Sequence, residues 1–149
     1  MISFLPRLLF ATSQPHQIAP GLALLLLRLH VGLSMARGGA DKLPVPDWFI
    51  EQVSGLGFPL PGLFAFLAAL AEFAGGILLA IGLFTRPAAF FLAVTIGVAA
   101  FGFHQVPFLL NFHITQTLFW SYVVLTFIGG GRFALDRLIV RPYTETETA

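Results

Sequence analysis

The run LPGLFAFLAALAEFAGGILLAIGLF, residues 60–84, decides the architecture of this chain. As a helix rising ~1.5 Å per residue it reaches ~37 Å, more than the ~30 Å hydrocarbon core of a bilayer. It is too long and too uniformly apolar for the surface helix of a soluble protein, which keeps one polar face. Glu72 is the one ionisable residue between Glu51 and Arg86, and it lies near the middle of the run. A carboxylate at that depth must be paired, protonated or hydrated, which makes it the first candidate for a functional site.

The rest of the composition agrees with a membrane protein. The chain is 57% hydrophobic and 10% charged, with a mean hydropathy of +0.88, well outside the soluble range. Its 149 residues make one compact bundle, and a net charge of +1 argues against nucleic acid as a partner. With no cysteine, disulfides, thiolate metal sites and thiol redox chemistry are excluded. Any redox role therefore needs a borrowed cofactor or partner.

Working outward, the expected fold is all-α: a four-helix transmembrane bundle with interfacial helices at the N-terminus, in the first loop and at the C-terminus. Residues 2–12, interrupted by Pro6 and Arg7, are too short to span and lack the cleavage pattern of a signal peptide, so they read as an interfacial helix. The first span is 21–36 and carries Arg28 and His30. A loop follows, in which Asp47 is a suitable N-cap for a short surface helix with Trp48 at headgroup depth. The second span is 60–84. A turn at 85–87 follows, with Pro87 at the first position of the next helix. Residues 87–131 hold no Asp, Glu, Lys or Arg, which is room for two spans, 88–103 and 114–128. His104, Gln105, Pro107, Asn111 and His113 mark the turn between them. Gly129, Gly130 and Gly131 end the fourth span, residues 132–141 alternate Arg with apolar residues like an interfacial helix, and 142–149 read as a disordered tail.

Two buried charges stand out. Counted from the expected span ends, Arg28 and Glu72 lie at similar depth, and pairing is the least costly compensation for both. An Arg28–Glu72 ion pair is therefore expected. Its faces are lined by Gly32 and Gly39 on one helix and by Ala65, Ala68, Ala69, Gly75 and Gly76 on the other, small residues that let helices approach closely. Such a pair serves either to fix helix register or to handle substrate and protons. Trp120 and Tyr122 in the fourth span each carry a polar atom that needs a partner and are candidates to line a cavity with Glu72. His30, His104 and His113 lie toward one surface and are a weak alternative for a metal or haem. No metal-binding spacing supports them, and His30 faces away from Arg28.

The stretch AEFAGGILLAIGLFTRPAA (71–89) resembles the signature of the DoxX family of small four-helix membrane proteins. Arg28, Gly32, Gly39 and Lys42 are similar to that family's first-span pattern, and GGGRFALDRL (129–138) is similar to its Gly-rich ending. The resemblance implies a bacterial cytoplasmic (inner) membrane protein with Arg28, Lys42, Glu72 and Arg86 as positions of interest. It also implies a link to quinone-coupled oxidation and membrane oxidoreductase complexes. Where relatives often carry an acidic residue near the start of the fourth span, this chain has His113 and Gln116.

The leading expectation is thus a membrane subunit or accessory protein of a redox system, with a quinone held by Arg28, Glu72 and Trp120 or Tyr122. The expected partners are the bilayer and a soluble or membrane oxidoreductase. Alternatives are a non-catalytic membrane assembly protein and, less favoured, a small transporter. Four spans place Arg7, Arg86, Arg132, Arg137 and Arg141 on one side, against Arg37 and Lys42 on the other. The positive-inside rule makes the first side, with both termini, cytoplasmic. Reporter fusions after Arg86 and after Tyr143 are expected to read cytoplasmic and one after Pro46 periplasmic. A reversed pattern would overturn this topology.

Overall fold

The computed structural model describes residues 18–105, 113–137 and 139, which are helical or irregular with no strand among them. The main helices are α1 (Ile18–Ala40), α2 (Asp47–Gly55), α3 (Pro61–Ile81), α4 (Thr85–Gly97), continued by a π-helical turn (Val98–Phe103), and α5 (Ile114–Ile128). α1, α3 and the continuous stretch Thr85–Phe103 are long and apolar enough to cross a membrane, and α5 is a shorter apolar helix. The expected interfacial helix at 2–12 and the tail at 142–149 lie outside the described residues. Phe127, Phe91, Leu26 and Leu67 are among many large apolar side chains left exposed. So much outward apolar surface is stable only where lipid covers it.

α1 and α3 form the most extensive pairing in the bundle, and they run antiparallel with their backbones in contact. A Cβ at Gly39 would collide with the backbone of Phe73 and Ala69, and one at Gly76 with that of Ala36 and Gly32. In lipid no hydrophobic force drives helices together, so close packing of small residues has to do it. α2 lies on the Gly39 end of this pair, with Phe49 and Val53 packed on Ala65 and Ala69, while Trp48 stays exposed as expected for a residue at headgroup depth. α4 and α5 close the other side through Leu79, Leu92, Ile96, Tyr122 and Leu125.

Several expected boundaries shift, each for a local reason. α1 runs on to Ala40 instead of stopping at residue 36, because the contact with α3 needs Gly39 inside the helix. Pro46, not Asp47, occupies the N-cap of α2, and Asp47 lies in the first turn, where its charge still favours the helix dipole. α3 ends at Ile81. Gly82 takes a left-handed conformation (φ 75°), its N–H reaches the Leu79 carbonyl at 3.2 Å and the Leu83 N–H reaches the Leu78 carbonyl at 2.9 Å, the paired bonds of a Schellman stop. The turn therefore occupies 82–84 rather than 85–87. Pro87 falls in the first turn of α4, where its missing N–H has no helical acceptor to lose.

Adjacent glycines at the end of α1 test the backbone contact. Gly38 has open space around its would-be Cβ, so Gly38→Ala is expected to be neutral or slightly stabilising through helix propensity. Gly39→Ala is expected to cost ~1–3 kcal/mol by forcing α1 from α3. Unfolding in a denaturing detergent series should separate the two, and equal stabilities would overturn the contact.

Candidate functional site: a buried ion pair on a cavity wall

Glu72 is 3% exposed on α3, and its partner comes from just past the end of α1. The Lys42 N–H bonds the Gly39 carbonyl at 3.1 Å, which turns the chain back over the helix end. From there the Lys42 Nζ donates to both carboxylate oxygens of Glu72, at 2.9 Å and 2.6 Å. The ammonium also lies 4.8 Å from the Phe49 ring centroid, a cation–π contact.

The expected Arg28–Glu72 pair does not form. Gly39 packs at the level of Phe73, and Arg28 lies a further eleven residues along α1, or ~16 Å at helical rise. Depths counted from assumed span ends missed this, since both ends of α1 extend beyond the expected ones. The two charges belong to opposite ends of the α1–α3 contact.

At its own end Arg28 is fully buried. Its Nη2 donates to the Phe133 carbonyl at 3.2 Å, its Nη1 fills the space left by the absent side chain of Gly82, and it lies in the field of the Asp136 carboxylate. Asp136, 1% exposed, accepts from the Phe84 N–H at 2.6 Å and the Thr85 N–H at 2.9 Å, and its own N–H bonds the Gly82 carbonyl at 2.9 Å. It thus caps α4 from a distance. Sequence reasoning assigned Asp136 no role, although one signal was present: α4 starts behind Phe84, which has no side-chain acceptor, so the free N–H groups of its first turn require one from elsewhere.

Of the other candidates, the Tyr122 hydroxyl lies in the field of the Glu72 carboxylate, and the rest make contacts of their own. Tyr122 is fully buried in the core and donates to the Val31 carbonyl at 3.1 Å. Trp120 is partly exposed, with its ring against Phe119. Neither lines the cavity beside Glu72. Arg86 donates to the Phe127 carbonyl at 3.0 Å and ties the start of α4 to the end of α5. His113 precedes α5, with Nδ1 2.7 Å from the Thr115 hydroxyl and its ring 4.9 Å from that of His104. His30 is exposed on α1. Among the described residues no three His, Asp or Glu side chains gather as metal ligands.

Beside the Lys42–Glu72 pair opens a cavity of about 750 Å³. Its walls come from α2 (Trp48, Gln52, Val53), α3 (Phe64, Ala68, Glu72) and α4 with its π-helical turn (Phe91, Thr95, Val98, Phe103), with His104 and Thr115 also on the wall. The surroundings are mainly apolar, and the charges cancel within the pair. Such a space suits an uncharged, largely apolar molecule with a few hydrogen-bonding atoms.

Apolar helices around a buried ion pair define a small helical membrane protein. The profile of the DoxX family matches residues 23–105. The inner membrane protein YphA of Escherichia coli (strain K12) is 32% identical over 123 residues, a match covering 76% of this chain and 88% of that protein. The chain belongs to the DoxX family. No solved structure matches it.

Glu72→Gln and Lys42→Met are each expected to destabilise the bundle by ~1–3 kcal/mol, between the cost of breaking a buried pair and that of an exposed one because the Lys42 side chain keeps some solvent contact. The double variant should recover part of the loss, whereas Arg28→Gln and Glu72→Gln should combine additively. Unfolding measurements on the three single and two double variants check both cycles, and additive losses for Lys42 and Glu72 would refute their coupling.

Proposed function

We propose that this protein is a membrane subunit or accessory protein of a redox system in the bacterial inner membrane, and that it holds a quinone in the cavity beside Lys42 and Glu72. The observation that carries the reading is a carboxylate and an ammonium paired on the wall of a large, mainly apolar cavity. A quinone is uncharged, so a neutral pair does not repel it. Two of the three Lys42 donor directions go to Glu72, which leaves one for a quinone carbonyl. Glu72 is the carboxylate on the cavity wall, placed to accept one of the two protons released when a quinol gives up two electrons, while the other passes to water at the partly exposed Lys42. The electrons pass to an oxidoreductase partner, soluble or in the membrane. The inner-membrane placement draws support from the relative of that name.

A non-catalytic assembly protein is the second reading, and the Arg28–Asp136 cluster favours it, since that cluster ties the C-terminal segment to α1 and α4 without any ligand. Mass spectrometry of the purified protein separates the two readings. Quinone is expected in the wild-type extract and reduced about tenfold or more in Lys42→Met, the worth of one charge-assisted hydrogen bond. Glu72→Asp, which retracts the carboxylate by one methylene, should fold and still impair quinone-dependent activity of the partner complex. Absence of quinone together with full partner activity in a folded Glu72→Gln variant would leave the assembly reading standing.

A further inference from the structure

A groove of about 700 Å³ runs between α4 and α5, and neither Lys42 nor Glu72 lies on its wall. Phe119 packs across it on Gly97, where a Cβ would sit 3.2 Å from the ring. Leu56 closes the far end by packing on Gly102, where a Cβ would sit 3.2 Å from Leu56 Cδ2. The near end is open. Phe90 and Phe127 stand exposed there, and Phe127, at 75%, is the most exposed large apolar side chain among the described residues. This mouth also carries a charge. Arg86 precedes Phe90 by four residues on the same face of α4, and its Nη2 donates to the Phe127 carbonyl at 3.0 Å, which holds the guanidinium beside the opening. A carbonyl takes the hydrogen bond without cancelling the charge.

The charges of the bundle divide by end. Among the described residues, the end with the turn after α3 holds Arg28, Arg86, Arg132 and Arg137 against Asp136, whose oxygens are engaged by the Phe84 and Thr85 N–H groups. Toward the other end lie Arg37 and Lys42 against Asp41, Asp47, Glu51 and Glu72. We infer that the groove seats an anionic phospholipid of the bilayer, with its phosphate at Arg86 and one acyl chain between α4 and α5. The cationic end attracts the headgroup, and the wall of the groove, which has no charged side chain, accepts the chain. The closed far end selects a lipid over a partner helix. Arg86 and Gly102 are sixteen residues apart, ~24 Å at helical rise, so a straight helix crossing the ~30 Å core would run into Leu56. A flexible chain stops short of it. Inside a bilayer the chain gains little from leaving other lipids, so packing only holds it in place while Arg86 selects the headgroup. This site is independent of the quinone reading.

Native mass spectrometry of the full chain in detergent, titrated with phosphatidylglycerol and phosphatidylcholine of identical acyl chains, tests the seat. Phosphatidylglycerol is expected to bind about fivefold more tightly, the worth of one basic side chain against an anionic headgroup. Arg86→Gln should remove that preference, Arg86→Lys, which keeps the charge, should retain it, and Arg37→Gln toward the other end should leave it unchanged. Phe127→Ala, a truncation at an exposed position that the fold tolerates, should weaken both lipids alike. Equal binding of the two lipids by the wild-type protein, or a preference that survives Arg86→Gln, would overturn the site. Binding unchanged by Phe127→Ala would place the chains outside the groove and overturn it as well, whether or not Arg86→Gln folds.

Discussion

The backbone contact between α1 and α3 is the constraint on which the rest of the structure depends. Gly39 and Gly76 remove the side chains that would hold the helices apart, and the resulting register decides what every buried polar group meets. With Gly39 level with Phe73, the chain leaving α1 returns over Glu72 and brings Lys42 within hydrogen-bond reach. With Gly32 level with Ala80, Arg28 arrives at the turn after α3, where Gly82 leaves room for its guanidinium. A register shifted by one helical turn, ~5.4 Å, would strand both charges in an apolar interior.

The two polar clusters have different characters. Around Arg28 the groups are packed by the turn at 82–85 and the segment 133–136, and the carboxylate of Asp136 is spent on the N–H groups that open α4. Around Lys42 the ion pair is satisfied by itself but borders a cavity built by α2, α3 and α4 with its π-helical turn, and by Thr115 of α5. Structural polar groups in a membrane are cheapest when packed on all sides, so the cluster with space beside it is the one suited to a ligand. Arg28, the more deeply buried of the two cations, is the one that holds the bundle together.

How much was legible follows from which interactions are local. The long apolar helices, a turn within a few residues of its true place and the surface helix before α3 could be read because length, hydropathy and turn residues act within a few positions. The importance of Glu72 could be read because a lone carboxylate in an apolar run is costly wherever the helix packs. Its partner could not. Arg28 and Lys42 both lie in or beside the first span, and choosing between them needs the axial register of two helices to within a turn. Asp136 was harder still, because its role depends on a fold-back that brings residue 136 to the start of a helix at residue 85.

By itself the sequence determined that this chain is an all-helical membrane protein whose glycine-rich first and third helices approach closely and whose Glu72 requires compensation. Those properties follow from composition and from the cost of exposing polar groups to hydrocarbon. Only the tertiary structure decided that Lys42 supplies the compensation, that Arg28 and Asp136 join the far end instead, and that a cavity opens beside the ion pair. These are outcomes of register and of contacts between residues distant in the chain, and a one-turn slide of one helix along another changes all of them without altering any local preference.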